Sequence, residues 1–269
     1  MHQPVGDPFS ETLVRRLAAA ERVAVLTGAG ISAESGVPTF RDPDGLWQRF
    51  RPEELANVEA FLKNPVLVQG WYAHRRAVVE EVAPNAGHEA LAELERLVAG
   101  RGGDFLLATQ NVDGLHRRAG SARVVELHGS LARTYCIECG REAGEAELTG
   151  FDAGEPARCP ACGGLLRPDV VWFGEMLPEG AMETAAEAAA RADVFLSVGT
   201  SAVVYPAAGL PLIAKEAGAY VAEVNPERSD IAWRLDEHVR GKAGEVLPAL
   251  VARVREAPGK RDWPMGTRQ

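Results

Sequence analysis

Four cysteines, a glycine loop and a few polar residues at strand ends hold most of the reactive chemistry in this chain. Cys136, Cys139, Cys159 and Cys162 form two C-x2-C pairs separated by nineteen residues, and there is no other cysteine. That spacing suits a zinc ion. Four thiolates leave no open coordination position, so the metal is expected to be structural rather than catalytic. A redox pair or a nucleic-acid-binding ribbon are the alternatives for the same pattern. With no cysteine left for a disulfide elsewhere, a reducing, cytoplasmic setting is expected.

The stretch "VLTGAGISAESGVPTFRD", from Val25 to Asp42, runs an apolar strand into Gly28, Gly30 and Gly36. A strand, then glycines, then a helix presents backbone N–H groups at a helix N-terminus, which suits phosphate. A strand–turn–helix with no ligand is the plain alternative. Gly28 and Gly30 are expected to let the backbone turn tightly and approach the ligand, and Ser32 to cap the short helix. An ordinary dehydrogenase would place a ribose-holding acid about 20 residues further on. Here that position falls at Trp47 to Phe50, outside any strand pattern. The next suitable strand end is "EVNPE", Glu223 to Glu227, which puts an adenosine ribose near Asn225. Gly199, Thr200 and Ser201 end a strand between the two and complete the same site. This arrangement argues against hydride transfer.

Gln110, Asn111 and Asp113 close the apolar run "DFLLATQ". Side chains at the C-terminal ends of parallel strands face the ligand crevice, although an Asx turn ending a strand fits equally well. His128 directly follows another short strand. His116, in "DGLHRRAG", reads as a packing or capping residue. Tyr72 and Arg75 stand three apart in a helical stretch and share one face. A planar guanidinium beside a phenol hydroxyl suits a carboxylate, and the same pair also fits a solvated surface.

These residues need a scaffold, and the pattern supplies one. Helices are expected over Ser10–Ala20 with Ser10 as N-cap, Pro65–Val82, around Ala90–Val98, and over Glu179–Arg191, Ala207–Ala217 and Glu245–Arg255. Buried strands are expected over Arg22–Thr27, Asp104–Gln110, Arg123–Leu127, Asp193–Gly199 and Ala219–Asn225. Continuous apolar strands alternating with helices predict an α/β fold, a Rossmann-like doubly wound parallel sheet covered on both faces. That domain is assigned to residues 1–42, 84–131 and 168–258. A helical insert at 43–83 and a zinc-binding module at 132–167 form a small second domain, and 259–269 a flexible tail. A length of 269 residues allows one large core with a satellite. The net charge of −9 weighs against direct nucleic-acid binding. No apolar run reaches the roughly 20 residues a membrane span needs, and no secretion signal is visible. A monomer is expected.

Several segments, taken in order, carry a family resemblance. "GAGISAESGVPTFRD", "TQNVDGLHRRAG", "LHGS", the two C-x2-C pairs, "VVWFGEMLP", "GTSAVVYPA" and "VNPE" resemble the signature segments of sirtuins, the NAD-dependent protein-lysine deacylases. The resemblance spans roughly residues 10 to 255, and Val112 departs from it conservatively where isoleucine is more usual. It implies that NAD is consumed as a co-substrate. The carbonyl oxygen of an acylated lysine attacks C1′ of the nicotinamide ribose, nicotinamide leaves, and the acyl group ends on ADP-ribose with lysine freed. It further implies that His128 is the general base, with Asn111 as its catalytic companion.

The cofactor site that the resemblance implies is made by Gly28, Ala29, Gly30 and Ala33, by Gln110, Asn111, Val112 and Asp113, and by Gly199, Thr200 and Ser201. Asn225, Pro226, Glu227 and Ala243 take the adenosine end. Phe40 shields the reacting ribose, Arg41 lies near the phosphates, and Trp47 joins them. Val171, Phe173 and Gly174 belong to a strand that pairs with the substrate backbone. Ala56, Tyr72 and Arg75 resemble the acyl pocket of the desuccinylase branch, which prefers succinyl, malonyl or glutaryl lysine. The partners implied are acyl-lysine proteins or peptides. Mono-ADP-ribosyl transfer and a non-catalytic zinc-ribbon adaptor are the alternative functions.

Overall fold

The computed structural model describes residues 7–38, 55–148 and 154–257. Six parallel strands form the main sheet: β1 (Arg22–Thr27), β2 (Asp104–Thr109), β3 (Val124–Glu126), β6 (Val194–Val198), β7 (Tyr220–Asn225) and β8 (Glu237–Arg240). Their spatial order is β3-β2-β1-β6-β7-β8. The chain winds outward from β1 in one direction and from β6 in the other. Ligands in such sheets bind at that reversal, beyond the carboxyl ends of the two strands.

Both faces of each central strand are apolar, which is why the strands read as unbroken hydrophobic runs. Val23 and Val25 join one core with Leu13 and Leu17 of α1 (Glu11–Ala19). Leu91 and Leu94 of α5 (Ala86–Gly100) and Leu247 and Leu250 of α9 (Ala243–Glu256) complete it. Ala24 and Leu26 point the other way. They pack with Ala185 and Ala189 of α7 (Ala181–Arg191) and Leu210 and Ala214 of α8 (Leu210–Glu216). Helix starts follow their capping residues. Ser10 Oγ accepts from Leu13 N at 3.1 Å, and Asn64 caps α4 (Pro65–Glu81) ahead of its first-turn proline.

A second, two-stranded antiparallel sheet pairs β4 (Gly129–Cys136) with β5 (Leu166–Val170). Against it lie α3 (Val58–Lys63) and α4. Phe61, Val68, Trp71 and Tyr72 share a core there with Leu131, Val170 and Trp172. Gln69 of α4 stitches the helical segment to the cysteine module. Its amide donates to Ala157 O at 3.0 Å and Leu166 O at 2.7 Å and accepts from Ala157 N at 2.7 Å. Among the described residues, no helix is long and apolar enough to cross a membrane.

Three expectations need correction. The short helix after β1, α2 (Ala29–Ala33), starts with Gly28 as N-cap, so Ser32 lies inside it and caps nothing. Val171–Gly174 is no strand. The ladder ends at Val170, and the chain turns at Phe173 and at Gly174, whose φ is +88°. The Ala207–Ala217 helix opens as a separate 3-10 turn, Ala207–Gly209, before α8. The edge strand β8, the strands β4 and β5, and the four-residue helix α6 (Leu115–Arg118) were not anticipated.

Candidate active site

The carboxyl ends of β1, β2, β6 and β7 converge, and the loops that leave them form the site. The β1 loop and the β6 loop pack directly together: Gly30 N donates to Gly199 O at 2.8 Å, and Gly28 N to Val198 O at 3.0 Å. A Cβ on Gly28 would lie 2.8 Å from Thr200 Cβ, and one on Gly30 2.7 Å from Gly199 O. Gly199 itself has φ +59° and faces Ile31 N. Gly28 is extended, with φ −128°, so no left-handed turn demands it. These glycines are required by loop-on-loop packing.

The end of β2 is wired to both loops. Gln110 Nε2 donates to Thr200 Oγ1 at 3.0 Å. Asn111 Nδ2 donates to Gly28 O at 3.1 Å and to Ser32 Oγ at 3.0 Å. Ser32 Oγ in turn donates to Asp113 Oδ2 at 2.7 Å. Asp113 also accepts from Leu115 N at 2.9 Å, and burial raises its carboxyl above the usual range despite these bonds. Asn225 Nδ2 reaches Thr200 O at 3.3 Å. Ser201 is half-buried, Pro226 and Glu227 are exposed, and Ala243 is buried at the start of α9. Phe40, Arg41 and Trp47 lie outside the described residues.

His128 stands between β3 and β4. Its Nδ1 is 3.0 Å from Gln110 O. A carbonyl only accepts, so Nδ1 carries the proton and Nε2 keeps its lone pair. Burial lowers the His128 pKa below its ordinary value, and the bond to Gln110 only partly opposes this. The imidazole is therefore neutral at neutral pH. The glycine of "HGS" is dictated by space: Gly129 has φ +78°, and a Cβ there would meet Asp169 O at 2.1 Å.

Two residues of this network carry no mark in the local sequence pattern. Ser32 read as a cap, and His88, fully buried, did not stand out at all. His88 Nδ1 accepts from Asn85 N at 3.3 Å in a capping box, so Nε2 carries the proton and lies 3.3 Å from Ser32 Oγ. Ser32 thus accepts two bonds and donates one. His116 packs, as expected. Its ring stands 4.8 Å from that of His88, and its Nε2 lies 2.9 Å from Thr27 Oγ1. Burial pushes His88 down to about 4 and His116 to about 3.

Beside this crevice lie the helical-segment residues. Tyr72 is buried in the same apolar cluster as Ala56, Phe61 and Trp172, with Val112 packed against it. The Arg75 guanidinium sits 4.8 Å from the Trp71 ring centroid and 5.9 Å from that of Tyr72, and burial lowers its pKa. Phe173 N donates to Ala56 O at 2.9 Å, and Val171 N to His128 O at 3.0 Å. The turn at 173–174 thereby joins the helical segment to the histidine. The Phe173 side chain is exposed.

The four cysteine sulfurs lie within 4.8 Å of one another. Zn–S bonds of about 2.3 Å in a tetrahedron require sulfurs about 3.8 Å apart. Cys136–Cys162 at 3.4 Å and Cys139–Cys159 at 3.8 Å fit that requirement. Each pair is followed by a glycine at positive φ, Gly140 at +70° and Gly163 at +78°. Each glycine N–H closes the turn onto the first cysteine's carbonyl, at 2.9 and 2.8 Å. The repeated C-x2-C-G is the sequence signal for this turn.

Comparison with known proteins agrees with this geometry. Residues 28–206 match the Sir2 family. An NAD-dependent protein deacylase 2 of Pyrobaculum aerophilum is 55% identical over 89% of this chain and 93% of its own. An NAD-dependent protein deacylase of Thermus thermophilus is 57% identical over 88% and 92%. Among solved structures, a Sir2 homologue in complex with NAD superposes with a TM-score of 0.85 at 48% identity, covering 95% of this chain and 97% of that one. A Sir2 protein bound to a myristoylated histone peptide gives 0.73 at 40%, covering 91% and 95%. The matched region runs from the glycine loop through both cysteine pairs to the loop after β6, and on that ground the chain belongs to the Sir2 family.

Proposed function

We infer that this Sir2-family enzyme is an NAD-dependent protein deacylase whose acyl pocket selects chains ending in a carboxylate, such as succinyl, malonyl or glutaryl lysine. The observation that carries the specificity is Tyr72, buried in the apolar cluster beside the crevice, with the Arg75 guanidinium 5.9 Å from its ring centroid. A guanidinium and a phenol in a partly desolvated pocket favour an anion, and Ala56 leaves room for it. Burial pushes Tyr72 up to about 12, so it stays a neutral donor at working pH.

The deacylase reading assigns a task to each group. The loops at Gly28–Ala33 and Gly199–Ser201 hold the pyrophosphate, a task the family resemblance extends to Arg41. Asn225, Pro226, Glu227 and Ala243 hold the adenosine end. Gln110, Val112 and Asp113 line the nicotinamide side, Asn111 orders the ribose, and the family resemblance adds Phe40 and Trp47 to the cofactor contacts. NAD supplies the glycosidic bond that is broken. His128 accepts the ribose hydroxyl proton at Nε2, which its Nδ1–H bond to Gln110 keeps in the acceptor form. Val171, Phe173 and Gly174 receive the substrate backbone. Cys136, Cys139, Cys159 and Cys162 hold a structural zinc.

The test is a mass-spectrometric panel of acetyl-, succinyl-, malonyl-, glutaryl- and myristoyl-lysine peptides, with and without NAD, for wild type and His128→Ala. Acyl removal should require NAD and His128 and should favour the carboxylated chains. A hydrogen bond to a charged group contributes about 1.5–3 kcal/mol. Arg75→Met should therefore lower kcat/KM for succinyl-lysine about 10- to 150-fold while affecting acetyl-lysine far less. Equal losses on both substrates would rule out the carboxylate clamp.

A further inference from the structure

Trp172 is 1% exposed and is held on every side. The Arg167 guanidinium lies 3.5 Å from its ring centroid, and the Phe61 ring packs at 5.1 Å. Its backbone N–H donates to Glu175 Oε2 at 2.8 Å, and Glu175 grips Arg167 through two bonds, at 2.6 and 2.9 Å. The indole cannot turn without breaking this packing. Its Nε1–H donates to Tyr72 Oη at 2.8 Å.

An indole nitrogen only donates, so the polarity of that bond is fixed. The phenol oxygen is the acceptor, and the phenol's own proton must go elsewhere. Among the described residues it meets no acceptor. Arg75, one of the charged neighbours of Tyr72, offers only donors. A group placed against both must therefore accept a hydrogen bond. An ionised carboxylate meets that condition, whereas a terminal methyl does not.

We propose that Trp172 is a positioning residue for acyl specificity: by occupying the Tyr72 oxygen as a donor, it holds the phenol proton ready for a carboxylate on the acyl chain. The proposal rests on the carboxylate-selective reading above. It adds a residue that need not touch the substrate but sets which way the tyrosine hydroxyl points.

The experiment replaces Trp172 by β-(3-benzothienyl)alanine, which keeps the two fused rings and exchanges the N–H for sulfur. The readout is the succinyl-to-acetyl ratio of kcat/KM, in the wild-type and Tyr72→Phe backgrounds. Loss of a neutral hydrogen bond should lower the ratio about 2- to 10-fold, mostly through KM for succinyl-lysine. In Tyr72→Phe the same replacement should leave the ratio unchanged. A ratio that falls equally in both backgrounds, or in neither while Tyr72→Phe alone lowers it, overturns the role of Trp172 and leaves the clamp standing. A wild type with no succinyl preference, and equal losses in Arg75→Met, overturns the clamp and this inference together. A readout independent of turnover and of the replacement is the 15N–1H resonance of the Trp172 indole, assigned with Trp172→Phe. It should move in Tyr72→Phe, and an unmoved resonance denies the bond.

Discussion

At the scale of single residues, the proposed reaction turns on which nitrogen of His128 holds a proton, and the bond to Gln110 decides that. Because burial lowers the imidazole pKa, the neutral form that can accept a proton persists below the ordinary value of about 6.5. The expected kcat/KM profile is flat from pH 7 to 8 and falls only below about pH 6.5, as His128 becomes protonated. An acid limb centred at or above pH 7 would contradict this assignment. The segments around His128, Asn111, Asp113 and the cysteines can be singled out from the sequence because neighbouring residues mark them. Ser32 and His88 were not legible. Their chemistry arises from contacts across 81 residues to Asp113 and 56 residues between each other, which no local window contains.

At the scale of elements, the two C-x2-C-G turns form the zinc module, and Gln69 fastens that module to α4. Zinc in comparable small domains contributes on the order of 10–16 kcal/mol to folding. Cys159→Ser should reduce bound zinc from one ion per chain to near none. Deacylation should fall more than tenfold through loosening of β4, β5 and the turn at 173–174, since His128 enters β4 directly. The main sheet does not use the metal, so far-UV circular dichroism should retain most of its amplitude. Zinc retained in full, measured by elemental analysis, would contradict the ligand set. The parallel strands were readable because both their faces are buried. By contrast, β4 alternates apolar, polar and charged residues without a clean period, and its register shifts between Ser130 and Thr134. The four residues of β8 contain one fully buried apolar side chain, Val239, too short a signal to separate from a loop. The strand expected at 171–174 fails because Gly174 takes a positive φ and Glu175 caps the turn through Trp172 N.

At the scale of the whole molecule, the crevice is underlain by buried polar groups that join its two walls: Thr27, Thr109 and His116 on one side, His88, Ser32, Asp113 and Asn111 on the other. This arrangement makes folding stability depend on pH, and its sign can be worked out. His88 and His116 titrate near 6.5 in the unfolded chain but at about 4 and about 3 in the folded protein. Between those limits the unfolded state binds protons that the folded state does not. Stability is therefore complete above about pH 6.5 and declines as the pH falls toward 4. Two such groups give a slope of about 2.7 kcal/mol per pH unit, or about 4 kcal/mol lost by pH 5. His128, also lowered, adds in the same direction. Asp113 acts in the opposite sense, because its raised carboxyl takes up a proton in the folded protein before the unfolded chain does. A loss of that size is a large share of the 5–15 kcal/mol typical of a domain. Urea unfolding at pH 7.5 and pH 5 should show it, and His116→Asn should remove about half of the slope. If wild type and His116→Asn lose stability in parallel as the pH falls, the buried histidine pair is not what makes this fold acid-sensitive.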